Sequence, residues 1–62
     1  MNIGERIMAL RKEKNISQTE LAKRLNVSRQ AVSKWEQGVS SPDTERLIRL
    51  AEILGTEVEY LA

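Results

Sequence analysis

The chain has 62 residues, a net charge of +1, and neither Cys nor His, so it makes one small domain without disulfides, thiolate metal sites or imidazole catalysis. A chain of this length folds without crosslinks only if its elements pack efficiently. The absence of Cys is compatible with an intracellular, reducing compartment; no apolar run approaches the ~20 residues of a membrane span and no signal peptide opens the sequence.

Capping signals divide the chain into five short helices. Asn2-Ile-Gly-Glu5, Ser17-Gln-Thr-Glu20 and Thr56-Glu-Val-Glu59 each set a capping residue three positions before a Glu, the reciprocal arrangement that satisfies the free N–H groups of a helix start. The first helix carries Ile3, Ile7 and Leu10 on one face, and the second carries Leu21, Ala22 and Leu25. Only Asn26-Val27 separates Leu25 from Ser28, which can cap a third helix. Two helices joined so tightly cross steeply, Ala22 lets them approach closely, and Asn26 tolerates the positive φ of such a turn. This is a helix-turn-helix by geometry.

The third helix, within VSRQAVSKWEQG at residues 27–38, has two unlike sides. At about 100° per residue with Arg29 at 0°, Ala31, Val32 and Trp35 cluster between roughly 200° and 300°. Arg29, Gln30, Ser33, Lys34 and Gln37 spread from roughly 0° to 140°, a fan of donors containing no carboxylate. Glu36 lies near 340°, at the core margin, with a carboxylate that needs a partner. Ser41 or Asp43 can cap the fourth helix, with Pro42 tolerated near its first turn. That helix carries Leu47, Leu50, Ala51 and Leu54, and Val58 and Leu61 anchor a final turn. Gly38 and Gly55 sit where helices stop. No stretch alternates with period two, so the domain is all-α.

Charge is unevenly placed. Through Glu36, eight Lys/Arg stand against four Glu, a balance of +4; from Gln37 onward, two Arg stand against five acidic residues, a balance of −3. A polyanion would feel that polarity. Enzymatic chemistry lacks its parts: there is no Gly-rich phosphate loop, and a Ser nucleophile would have no base. Neither a cofactor nor a metal is expected.

SQTELAKRLNVSRQAVSKWEQG, residues 17–38, resembles the helix-turn-helix of the Cro/CI-type repressors, the XRE family. Gln18, Leu21-Ala22, Leu25, Asn26, Val27, Val32 and Trp35-Glu36 carry the likeness. It extends through IGERIMALRKEKNIS before and SPDTERLIRLAEILGTEVEYLA after, nearly the whole chain. Asn26 departs from the family's usual Gly, and Trp35 from a smaller aliphatic. The resemblance implies a five-helix, lambda-repressor-like domain spanning residues 1–62. It implies a cytoplasmic transcription regulator of a prokaryotic or phage-infected cell, a repressor acting as a homodimer on a two-fold double-stranded DNA operator. A sensory or oligomerisation domain beyond residue 62 is compatible with this.

The residues and the resemblance together give the expected site. Arg29, Gln30 and Lys34 would read bases in the major groove, with a short contact from Ser28. Arg suits guanine O6 and N7, Gln suits adenine N6 and N7, and Lys34 reaches a guanine acceptor or a phosphate. Gln18, at a helix start, would meet a phosphate, as the family's matching Gln does. Ser17, Ser33, Gln37, Ser40 and Ser41 are further phosphate candidates, with capping competing at Ser17 and plain solvation competing at Ser33. The resemblance pairs Glu36 with Arg11 as a structural salt bridge, and Arg11 can also touch phosphate. Ile48 and Ile53, off the fourth helix's apolar stripe, and Tyr60 could form a two-fold contact or finish the monomer's core. The competing reading is a helical protein-binding adaptor, or an antitoxin-type regulator, on the same fold.

Overall fold

The computed structural model describes residues 1–62, all of the chain. Five helices follow one another with no strand: α1 Ile3–Glu13, α2 Gln18–Leu25, α3 Arg29–Gln37, α4 Thr44–Leu54 and α5 Val58–Leu61. The caps explain four of these starts. Asn2 and Glu5 form the full reciprocal box: the Asn2 side chain accepts from Glu5 N–H at 2.9 Å and the Glu5 carboxylate accepts from Asn2 N–H at 3.0 Å. Ser17 and Ser28 accept from the N–H groups of Glu20 and Ala31.

Asp43, not Ser41, caps α4, accepting from Arg46 N–H at 2.8 Å. Two expected boxes do not close. Glu20 does not reach back to Ser17, because its carboxylate accepts from Arg24 one turn on, at 3.0 Å. Thr56 does not cap α5: that helix starts one residue later, after Glu57, with no side-chain cap. Thr56 N–H donates to Ala51 C=O at 2.9 Å, closing the end of α4, and so is not available to the Glu59 carboxylate for the return leg of a box.

The same closure ends the first four helices. Asn15 (φ 58°), Asn26 (φ 58°), Gly38 (φ 80°) and Gly55 (φ 67°) adopt the left-handed conformation. In each case the next N–H returns to a carbonyl of the last turn: Ile16 to Arg11, Val27 to Ala22, Val39 to Lys34 and Thr56 to Ala51. This is the wrapped ending that satisfies otherwise orphaned carbonyls. Asn15 had no signal beyond its residue type. For Asn26, between α2 and α3, Ala removes the local stabilisation of left-handed backbone and costs about 1 kcal/mol, whereas Gly is close to neutral. Thermal melts of Asn26→Ala and Asn26→Gly check this, and equal losses in both would show that the side chain, not the dihedral, matters there.

The core joins Ile7 of α1, Leu21, Ala22 and Leu25 of α2, Val32 and Trp35 of α3, Leu50, Ala51 and Leu54 of α4, and Leu61 of α5. Each of the predicted apolar faces therefore turns inward. Ile3, Leu10, Leu47 and Val58 seal the edges, only partly buried. Ala22 is buried in α2, where its small side chain lets α3 cross closely. At the other end of α3, helix α1 also approaches closely, over Gly4. A Cβ built on Gly4 would overlap the Trp35 carbonyl oxygen and lie 2.9 Å from that of Glu36. Thus α3 is held by α2 on one side and by α1 behind its last turn, leaving its third side open.

Candidate nucleic-acid interface

The open side of α3 carries the residues singled out in the sequence. Arg29, Gln30, Lys34 and Gln37 are exposed, and Ser33 is half-buried. No carboxylate shares this side, because Glu36 is turned inward and is only 6% exposed. Ser33 and Gln37 are linked, with Gln37 Nε2 donating to Ser33 Oγ at 2.8 Å. Ser28 and Ser17 are exposed, but each hydroxyl oxygen already accepts from its own helix start; the hydroxyl hydrogens remain to be donated. Ser40 and Ser41 are exposed in the link that follows α3.

Beneath that surface lies an ion pair. Arg11 of α1 donates from Nε to Glu36 Oε2 at 2.7 Å and from Nη2 to Oε1 at 3.1 Å, the two-pronged geometry that suits guanidinium to carboxylate. Its Nη1 donates to the Ile16 carbonyl at 2.9 Å. All three guanidinium nitrogens are therefore engaged, and Arg11 itself is buried. That geometry favours the structural use of Arg11 over the phosphate contact also considered for it. The carboxylate and guanidinium are 2% and 11% exposed as side chains, and no buried side-chain polar atom in the protein lacks a partner.

Gln18 is where surface and core meet. It is half-buried; its Nε2 donates to Glu36 Oε1 at 3.0 Å, and its Oε1 accepts from Arg29 Nη1 at 3.1 Å. The sequence placed Gln18 beside phosphate and did not connect it to either neighbour. The connection spans residues eleven and eighteen positions away, and only the crossing of α2 and α3 brings them together.

The proposed two-fold contact is divided by the fold. Ile53 is half-buried and packs against the core. Ile48 and Tyr60 remain open, at 47% and 48% exposure. Arg6 holds the Tyr60 end of the chain, donating from Nη1 to the Tyr60 carbonyl at 2.9 Å with its guanidinium 5.2 Å from the ring centre. No helix is long and apolar enough to cross a membrane.

Five helices of this order, with a tight crossing that presents a polar α3, define a helix-turn-helix domain of the lambda-repressor type. A sequence model described as helix-turn-helix matches residues 7–61, and the chain belongs to this family in its Cro/CI-type, or XRE, form. It is 41% identical over 59 residues to repressor protein C2 of Salmonella phage P22, covering 95% of this chain and 27% of that protein. It is 38% identical over 61 residues to the transcriptional activator BcrR of Enterococcus faecalis, covering 98% of this chain and 30% of that protein. The chain thus spans under a third of the length of these two relatives.

Among solved structures, the P22 c2 repressor in complex with a synthetic operator superposes with a TM-score of 0.94 at 39% identity, over 98% of this chain and 92% of that one. The biofilm regulator SinR in complex with DNA, a Bacillus subtilis protein, superposes with a TM-score of 0.86 at 33% identity, over 95% of each chain.

Proposed function

We propose that this chain is the sequence-reading domain of a transcription regulator that binds double-stranded operator DNA through α3. The observation that carries the reading is the α3 surface itself. Arg29, Gln30 and Lys34 project from a helix held from behind by Ile7, Leu21, Trp35 and the Arg11–Glu36 pair, with no carboxylate facing outward. A rigid helix with donors of this length fits the major groove, where base edges present acceptors in a sequence-dependent pattern. The hydroxyls of Ser17, Ser40 and Ser41 and the amides of Gln18 and Gln37 flank it and suit phosphate oxygens, which fix register without reading sequence. The DNA complexes of the two similar solved proteins, which share this fold, support the reading.

Size argues for two copies on DNA. The domain measures 24 × 23 × 20 Å, whereas successive major-groove faces on one side of the duplex lie about 34 Å apart. One copy reads one half-site, and a two-fold operator needs a pair, with Ile48 and Tyr60 as exposed apolar groups for the contact. We infer repression where the operator overlaps a promoter, so that occupancy excludes polymerase.

Binding-site selection from random duplexes, followed by a panel of single-base operator variants at two salt concentrations, tests this. Arg29→Ala costs about 1–3 kcal/mol on the selected site and removes selectivity at one base pair, and Gln30→Ala does the same at a neighbouring pair. Lys34→Ala distinguishes its two uses: a base reader changes selectivity, while a phosphate contact lowers the salt slope by about one unit. If Arg29→Ala and Gln30→Ala weaken every site equally, α3 is not the reader. Binding to a protein but not to salt-sensitive duplex sites would favour the adaptor.

A further inference from the structure

Helix α1 packs against both α3 and α5, and it does so with different sides. With Gly4 at 0°, Ile7 and Arg11 fall at roughly 300° and 340°, while Arg6 falls near 200°. The first group faces α3. Gly4 lies against the Trp35 and Glu36 carbonyls, and Arg11 holds the Glu36 carboxylate at 2.7 Å. On the other flank Arg6 holds α5, donating from Nη1 to the Tyr60 carbonyl at 2.9 Å with its guanidinium over the Tyr60 ring.

The two attachments differ in slack. Gly4 has none, since one added Cβ would overlap the Trp35 carbonyl oxygen, so α1 and the last turn of α3 move together. In contrast, α5 is a single turn, Val58–Leu61, without a side-chain cap, far too short to hold itself in water. It stays in place through the fully buried Leu61, the partly buried Val58 and the Arg6 bond.

We propose that α1 is a strut coupling α5 to the recognition helix, with Arg6 as its latch. This rests on the reading of α3 as the groove-facing helix and adds a regulatory element to it. The bistable element is α5, either docked on α1 and α4 or released from them. Release takes Leu61 out of the core and unfastens Arg6, so α1 loses support on one flank and its hold on the Trp35–Glu36 turn loosens. DNA needs that turn in place, because Gln37, Ser40 and Ser41 follow directly from it. Operator DNA therefore favours docked α5. By linkage, whatever pulls α5 away from α1 weakens operator binding by the same factor.

Amide exchange at Tyr60 and Ala62, whose N–H groups donate to the Glu57 and Val58 carbonyls, reports docking. It is measured by NMR on the free domain and on its complex with the selected operator, with Leu25 of α2 and Leu50 of α4 as references for global unfolding. In the wild type, DNA is expected to slow exchange at both α5 sites by at least about fivefold, the lower end of coupling between linked sites. Arg6→Met keeps an apolar stem and removes the donor. In the free domain it is expected to speed α5 exchange by about three- to tenfold, the scale of one hydrogen bond, and to cut the slowing by DNA to less than about twofold. Arg6→Lys, which keeps a donor, is expected to retain part of that slowing.

Equal α5 exchange with and without DNA in the wild type overturns the proposal. So does slowing of undiminished size in Arg6→Met, or faster exchange in that variant matched at Leu25 and Leu50, which would make Arg6 a general support of the fold. If DNA leaves the resonances of Arg29, Gln30 and Lys34 unperturbed, it is the groove-facing reading of α3 that fails.

Discussion

Gly4→Ala is expected to destabilise the domain by about 2 kcal/mol, although Ala is the better helix former. Two effects of opposite sign compete. Helix propensity favours Ala over Gly by up to about 1 kcal/mol, less near a helix start. Against it, the new methyl would overlap the carbonyl oxygen of Trp35 and press on that of Glu36 at 2.9 Å. Overpacking costs about 1–3 kcal/mol where side chains can adjust. Here the obstacles are backbone atoms at the end of α3, so the upper part of that range applies and sterics win. Relief requires α1 to lift from α3, loosening Ile7 against the core. Urea unfolding followed by Trp35 fluorescence measures the loss, and a variant as stable as the wild type would mean that α1 slides aside freely.

That close approach marks where the sequence stopped being informative. Amphipathic periods placed Ile7, Leu21, Ala22, Leu25, Val32, Trp35, Leu50, Ala51, Leu54 and Leu61 on inward faces, because a helix face is a local property that spacing reports directly. Caps were legible for the same reason, except where two local demands met on one residue. Thr56 satisfies the spacing of a capping box, yet its N–H is needed to finish α4; Glu20 satisfies it too, yet Arg24 offers a charged partner one turn away.

Gly4 and the Gln18 bridge were illegible for a different reason. Both depend on how far apart two helices lie, and no single helix encodes that distance. The Arg11–Glu36 pair is an intermediate case. The helical angle of Glu36 showed a carboxylate at the core margin, but only family resemblance supplied its partner. The exposed α3 residues were readable as donors, whereas the hydrogen bond between Arg29 and Gln18 required the crossing of α2 and α3.

The largest effect expected belongs to that buried pair. Glu36→Gln is expected to cost on the order of 3–5 kcal/mol, because the Arg11 guanidinium is left in the interior without a counter-charge. A core of this size supplies only about 3–5 kcal/mol in total, so the variant should be largely unfolded at 25 °C. Arg11→Met should be comparably damaging, since it strands the Glu36 carboxylate, whose side chain is 2% exposed. The cost comes from stranding a charge more than from losing an attraction, and a double variant separates the two. Arg11→Met with Glu36→Leu removes both charges and fills their place with apolar volume, an exchange that is often neutral or better for a buried pair. Two polar groups lose a partner in it: the Ile16 carbonyl, bonded to Arg11 Nη1 at 2.9 Å, and the Gln18 amide, bonded to Glu36 at 3.0 Å. Gln18 is half-buried and can turn to water, so the residual cost is about 1–2 kcal/mol, mostly from the carbonyl. The double variant should therefore be more stable than either single one. Trp35, only 6% exposed and next to Glu36 in sequence, reports all three unfolding curves. A Glu36→Gln midpoint shift worth less than about 0.5 kcal/mol would place the pair among ordinary surface ion pairs, and a double variant worse than both singles would show that the attraction itself holds α1 to α3.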